Sequence, residues 1–190
     1  MDVNGELYSY LRGARETLVW KLEGLDEYDM RRPMTPTGTN LLGLVKHSAR
    51  SHVLYFCDVF DRPRDQSLSW LSDVTPGSDM WAKHDESTDD VVTAYRRSWA
   101  LADETVSALP VDALGRVPWW GDDPVTLEHV VVHMTAETQR HAGHADIIRE
   151  LIDGTAGLLN GYDNLRIDDT EARNSLHDEI EKAAQDAQRR

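Results

Sequence analysis

Residues 125–153, VTLEHVVVHMTAETQRHAGHADIIRELID, constrain this chain more than any other stretch. No proline lies between Thr126 and Asp153, Thr126 can cap the start, and Gly154 follows the end. That pattern predicts one long helix. At about 100° of rotation per residue, Val130, Met134, Ile148, Leu151 and Ile152 fall on one side, which must pack against the rest of the fold. Glu137, His141 and His144 fall near the middle of the same face. The steps between them are i,i+4 and i,i+3, so their side chains can converge.

A carboxylate buried without a partner is costly, and proteins pair it or bind it to metal. Two readings follow for Glu137 and its histidines. One is a satisfied core network, with Glu137 held by an arginine or a histidine. The other is a metal site, because carboxylate and imidazole are ordinary ligands of zinc. Spacing on the helix leaves both open.

The rest of the chain supplies partners for this helix. Residues 5–24 carry Leu7, Leu11, Ala14, Leu18 and Leu22 at helical spacing. Residues 26–39, with Pro33, Pro36 and Gly38, read as a loop. A second helix is predicted from about residue 40 to 60, capped by Thr39 or Asn40 and stopped by Pro63. It has two usable faces. Leu41, Val45, Ala49, His52, Phe56 and Val59 form one stripe, and Leu44, His47, Ser48, Ser51 and Tyr55 form another. Periodicity alone sends His52, not His47, into the larger stripe.

Residues 61–87 read as a long connection with a short helix near 78–83. A third helix is predicted over 89–109, with Val91, Val92, Tyr95, Trp99, Ala102, Val106 and Leu109 inward. Trp119 and Trp120 read as a hydrophobic plug at the bundle end that can also wall a pocket. Residues 155–169 look irregular, and a charged helix poor in large apolar residues follows over 170–187. Helices without a convincing strand pattern predict an all-α four-helix bundle, in a single domain with its core over about 5–154 and a C-terminal extension.

Composition narrows function. A net charge of −14 argues against a nucleic-acid partner, which needs a basic face. The single cysteine, Cys57, rules out an intramolecular disulfide and a thiolate-rich zinc site. No apolar run approaches the length of a membrane span, and the N-terminus lacks the blocks of a signal peptide, so a cytoplasmic protein is expected. Nucleophile elbows, Walker loops and dinucleotide fingerprints are absent. Paired Glu-x-x-His motifs of the di-iron bundles are absent too.

The segments TNLLGLVKH at 39–47, PWW at 118–120 and HMTAETQRHAGHADIIRELIDG at 133–154 resemble the DinB/YfiT-like metalloenzyme superfamily. The likeness covers roughly residues 5–154. It implies a four-helix bundle with a divalent metal between helices, one ligand from the second helix and two from the fourth. Carried onto this chain, the ligands are His47, Glu137 and His141, which moves His47 ahead of His52. Many members have His where this chain has Glu137. The His/Glu/His set is similar to the mycothiol-dependent maleylpyruvate isomerase branch, whose metal is zinc; nickel is the other metal expected.

His144, where many relatives have Gln, is implied as a proton-handling or ligand-orienting residue rather than a metal ligand. The His129/His133 pair has HxxxH spacing, but His129 lies off the core centre. The resemblance implies activation of a low-molecular-weight thiol, mycothiol or a similar one, for S-transfer or isomerisation of a small electrophile. A homodimer is also expected, with Tyr55, His52 and the C-terminal helix available for its contacts. The reading from another class is a non-catalytic binding or structural bundle. Cys57 is expected to be a small core residue with no part in the chemistry.

Overall fold

Three of the long helices of the bundle begin where a polar side chain caps them. Asn40 accepts from Gly43 N–H, Ser87 from Asp90 N–H, and Thr126 from His129 N–H. Each such cap is worth about 1 kcal/mol against alanine. In the computed structural model, which describes residues 3–72, 75–162, 167 and 169–189, these caps open α3, α4 and α5 of six α-helices. The helices are α1 (Val3–Trp20), the short α2 (Glu27–Arg31), α3 (Leu41–Phe56), α4 (Thr88–Ala108), α5 (Leu127–Asp153) and α6 (Thr170–Gln188). Gly154 ends α5 at φ 76°, a left-handed turn that residues with a Cβ adopt reluctantly.

Contacts divide the chain into two units, Met1–Thr155 and Ala156–Arg190. The first is the expected four-helix bundle, with α3 against α4, α1 against α5, and α3 also meeting α5. Burying Leu11, Leu18, Leu41, Leu42, Leu44, Phe56, Leu127 and Met134 gives the bundle its apolar interior. Each such side chain contributes roughly 1.5–3 kcal/mol when removed from water. In the second unit, α6 buries none of its residues, as its charged sequence foretold. Residues 163–166 and 168 of the stretch expected to be irregular lie outside the described residues.

Both stripes of α3 are buried, because α4 covers one side and α5 the other. His52 is 0% exposed and belongs to the core. Its Nε2 accepts from Arg15 Nε at 2.9 Å, so its Nδ1 carries the proton and donates to Ser48 O at 2.7 Å. The ring touches Phe56 of one apolar cluster and Tyr95 of the other. Tyr55 is buried as well. Neither residue is a surface for a dimer contact, which corrects that expectation.

Three further differences from the sequence reading are local, the first being that α2, Glu27–Arg31, lies within residues 26–39, expected to be a loop. Leu151, expected inward, is 66% exposed: at the C-terminal end of α5 the inward face is carried by Ala145, Ile148 and Arg149 instead. A two-residue antiparallel pair, β1 (Leu114–Gly115) with β2 (Val125–Thr126), was not foreseen. It is too short to show alternation. It closes residues 116–124 into a loop, and Arg116 N–H ties that loop to Val59 O at 3.1 Å, just beyond α3.

Candidate functional site

Where α3 faces α5, the narrower stripe of α3 meets the middle of α5. One potential ligand atom each from His47, Glu137 and His141 lies within 4.8 Å of the others. Among the described residues, no other group of three His, Cys, Asp or Glu comes together this way. The rings of His47 and His141 stand 4.9 Å apart, nearly perpendicular. His141 Nε2 is 3.8 Å from Glu137 Oε1.

Electrostatics separate these residues from a closed core network. His141 is buried, and both its ring nitrogens lack a hydrogen-bond partner among the described residues. Burial, with the nearby His47 adding to it and Glu137 opposing it, pushes the imidazole down to about pKa 4. It is therefore neutral at physiological pH, the state in which an imidazole donates a lone pair. The ion-pair contact of Glu137 among the described residues is His141 itself, and no arginine holds the carboxylate. Two orphaned nitrogens beside an unneutralised carboxylate are a donor set that fits a divalent cation.

His47 is oriented from outside the bundle. Asp79, in a turn of the long connection, accepts from His47 Nδ1–H at 2.8 Å. This leaves Nε2, which has Ser51 Oγ at 3.5 Å, as the nitrogen free to act as a donor atom. Burial raises the Asp79 carboxyl, but the hydrogen bond and charge of His47, with Arg50 beside them, hold it below its ordinary value. The expected short helix near 78–83 is a single 3-10 turn, Ser78–Met80.

His144 lies one turn along α5, exposed, with its ring 5.6 Å from that of His141. His129 and His133 are not part of the cluster. Trp120 packs on both, at 5.3 Å and 4.5 Å between ring centres.

Trp119 and Trp120 are 53% and 37% exposed, so they are not a buried plug. Both lean on Tyr55, at 5.7 Å and 5.6 Å, and Tyr55 also meets His133 at 4.8 Å. Burial raises the Tyr55 phenol above its ordinary value and the charge of Glu137 adds to this, so the aromatic wall and the carboxylate feel one another. Tyr55 stands two turns from His47 on α3, and His133 one turn from Glu137 on α5. The wall therefore continues the stripe that carries the cluster.

A four-helix bundle in which two helices bring together a His/Glu/His group that could hold a metal ion defines the class of protein. The chain matches the family described as Mycothiol-S-transferase over residues 6–154, and it belongs to that family, a DinB/YfiT-like one. Comparison with curated proteins gives no match.

Proposed function

We propose that this protein is a divalent-metal-dependent S-transferase that joins a low-molecular-weight thiol, mycothiol or a similar one, to a small electrophile. The observation that carries the reading is the pair of unpartnered, buried nitrogens of His141 beside Glu137 and His47, in a chain of the Mycothiol-S-transferase family. His47, Glu137 and His141 would hold the metal, zinc before nickel. With three protein ligands, a coordination position remains for substrate. A divalent cation at this site supplies positive charge that favours the deprotonated form of a thiol at neutral pH.

The chain's own residues supply the rest. Asp79 keeps the His47 ring in one orientation. His144, exposed beside His141, takes the thiol proton at a ring nitrogen and passes it to solvent or to the leaving group. The sulfur then attacks the electrophilic carbon, an S–C bond forms, and the leaving group departs. Trp119 and Trp120, backed by the buried Tyr55, offer exposed apolar rings for the body of a substrate. No helix among the described residues is long and apolar enough to cross a membrane, and a cytoplasmic homodimer belongs to this reading.

Metal analysis of the purified protein, followed by conjugation of an electrophile with a panel of thiols, tests it. One bound metal per chain and turnover with at least one thiol are expected. A chain free of metal that also resists reconstitution would leave a structural bundle; metal without turnover on any thiol would leave a binding role.

A further inference from the structure

The segment TNLLGLVKH contains more than its histidine, and the face of α3 it builds is turned to one object. Asn40 Nδ2 donates to Met80 O at 3.2 Å. At Gly43 an added Cβ would lie 1.9 Å from Met80 O, so only glycine admits that carbonyl. Lys46 Nζ donates to Ser78 O at 3.2 Å and Trp81 O at 3.1 Å. His47 donates to Asp79, and Arg50 Nη1 reaches the same carboxylate at 3.5 Å. Positions 40, 43, 46, 47 and 50 follow the helical repeat, and all five meet residues 78–81.

Lys46 makes the arrangement hard to read as incidental. It is 4% exposed, and its charge is matched by Glu86, with Nζ 2.7 Å from Oε2. A buried ammonium is expensive to desolvate even when paired, and an apolar residue of similar size would pack there at less cost. What it gains is two carbonyls flanking Asp79, held from below. Lys83 N–H also donates to Glu86, at 2.8 Å, so the counter-ion is fixed by the same connection.

We infer that Asp79 is a positioning residue: it fixes His47 as the Nδ1–H tautomer with Nε2 open, and Asn40, Gly43 and Lys46 exist to hold the turn that carries it. The inference starts from the ligand role proposed for His47 and adds a second layer to it. A histidine ligand whose other nitrogen donates to a carboxylate is fixed in tautomer and ring angle, and removing the carboxylate typically weakens metal binding 10–100-fold as an order of magnitude. Sequence periodicity is blind to this residue, because Asp79 lies in an irregular connection 32 positions from its partner.

The tautomer can be read without metal. In metal-free protein labelled with nitrogen-15 histidine, above the histidine titration range, long-range proton–nitrogen spectra assign the His47 tautomer against a His47→Gln variant. Wild type is expected to show Nδ1–H, Asp79→Ala a shift of the majority to Nε2–H, and Asp79→Asn, whose amide oxygen still accepts, a return to Nδ1–H. Gly43→Ala, checked for folding by thermal unfolding, is expected to loosen the tautomer in the same direction as Asp79→Ala. Cobalt titration is expected to give about 10–100-fold weaker binding in Asp79→Ala.

A wild-type His47 protonated on Nε2, or an unchanged tautomer in Asp79→Ala, overturns the assignment. Equal cobalt affinity in wild type and Asp79→Ala overturns it as well. A folded Gly43→Ala with wild-type behaviour overturns the role of the α3 face. A wild type that binds no cobalt refutes the proposed function instead, while the tautomer still decides the case for Asp79.

Discussion

Nε2 of His141 stands 3.8 Å from Oε1 of Glu137, beyond hydrogen-bond reach, although both belong to one helix and are a single turn apart. A closed pair would have drawn together; this one is held open, and His47 faces it from α3. His141→Ala is therefore expected to abolish stoichiometric metal while leaving a folded bundle. The lost imidazole made no hydrogen bond, so the metal-free variant should lie within about 2 kcal/mol of metal-free wild type. The metal-loaded wild type should exceed the metal-free wild type by about 2.7 kcal/mol when free metal is 100 times its Kd. Metal analysis and urea unfolding, with and without chelator, measure the two quantities. A variant that still binds one metal tightly removes His141 from the site.

His52 gives the stability of the metal-free chain a defined pH dependence. Burial, with the charge of Arg15 adding to it, holds its pKa well below the ordinary 6.5. The sign follows from where the proton goes. As pH falls through 6.5 the unfolded chain takes up a proton at this position and the folded chain does not, so folding weakens. The contribution is fully present above 6.5 and declines by about 1.4 kcal/mol per pH unit below it. His52→Phe keeps a ring of similar shape and should remove this share of the slope below pH 6.5 while leaving that of His141, at some cost from the Arg15 Nε it leaves without a partner. Urea unfolding at successive pH values checks this, and parallel slopes for both proteins would count against it.

The long helices and their caps were legible because their signals are local: Thr126 before α5, Gly154 after it, and apolar residues at helical spacing between. The two faces of α3 were legible too. Which of them carries the candidate site was not, since an apolar count favours the His52 stripe and His47 lies on the stripe with serines. His47 was reached through the resemblance of its segment, not through periodicity. The exposure of Leu151 was missed because a wheel does not say where along a helix the covering neighbour stops. The tryptophan loop was half legible: its aromatic content was plain, but its anchoring over Tyr55 depends on Arg116 meeting Val59, a contact distant in sequence.

Cys57 tests the claim that the thiol chemistry is not the protein's own. The side chain is buried at the end of α3, and burial, reinforced by the charge of Asp58, pushes the thiol up to about pKa 11. Very little thiolate exists near neutral pH, so alkylation of the native protein by iodoacetamide should be far slower than that of a free thiol. Cys57→Ala should keep full transferase activity and metal content, at a cost of about 1 kcal/mol in stability for the small void. Loss of turnover in a folded Cys57→Ala protein would demand a different mechanism.

Trp119 separates substrate binding from catalysis. Being 53% exposed, it contributes little to the fold, and Trp119→Ala should leave thermal stability near wild type. Its ring leans on Tyr55, two turns from His47, and is one of the two exposed tryptophans of this loop. An aromatic contact of this kind is worth about 0.5–1.5 kcal/mol beyond burial, which corresponds to roughly a 2–10-fold rise in KM. The residues proposed to carry the chemistry, His47, Glu137, His141 and His144, are unaltered by the change, so kcat should fall much less than KM rises. Steady-state rates with an aromatic electrophile and with a small aliphatic one, at saturating thiol, distinguish the cases. The penalty should be larger for the aromatic substrate; an equal loss of kcat for both would mean that Trp119 shapes the catalytic cluster instead of holding the substrate.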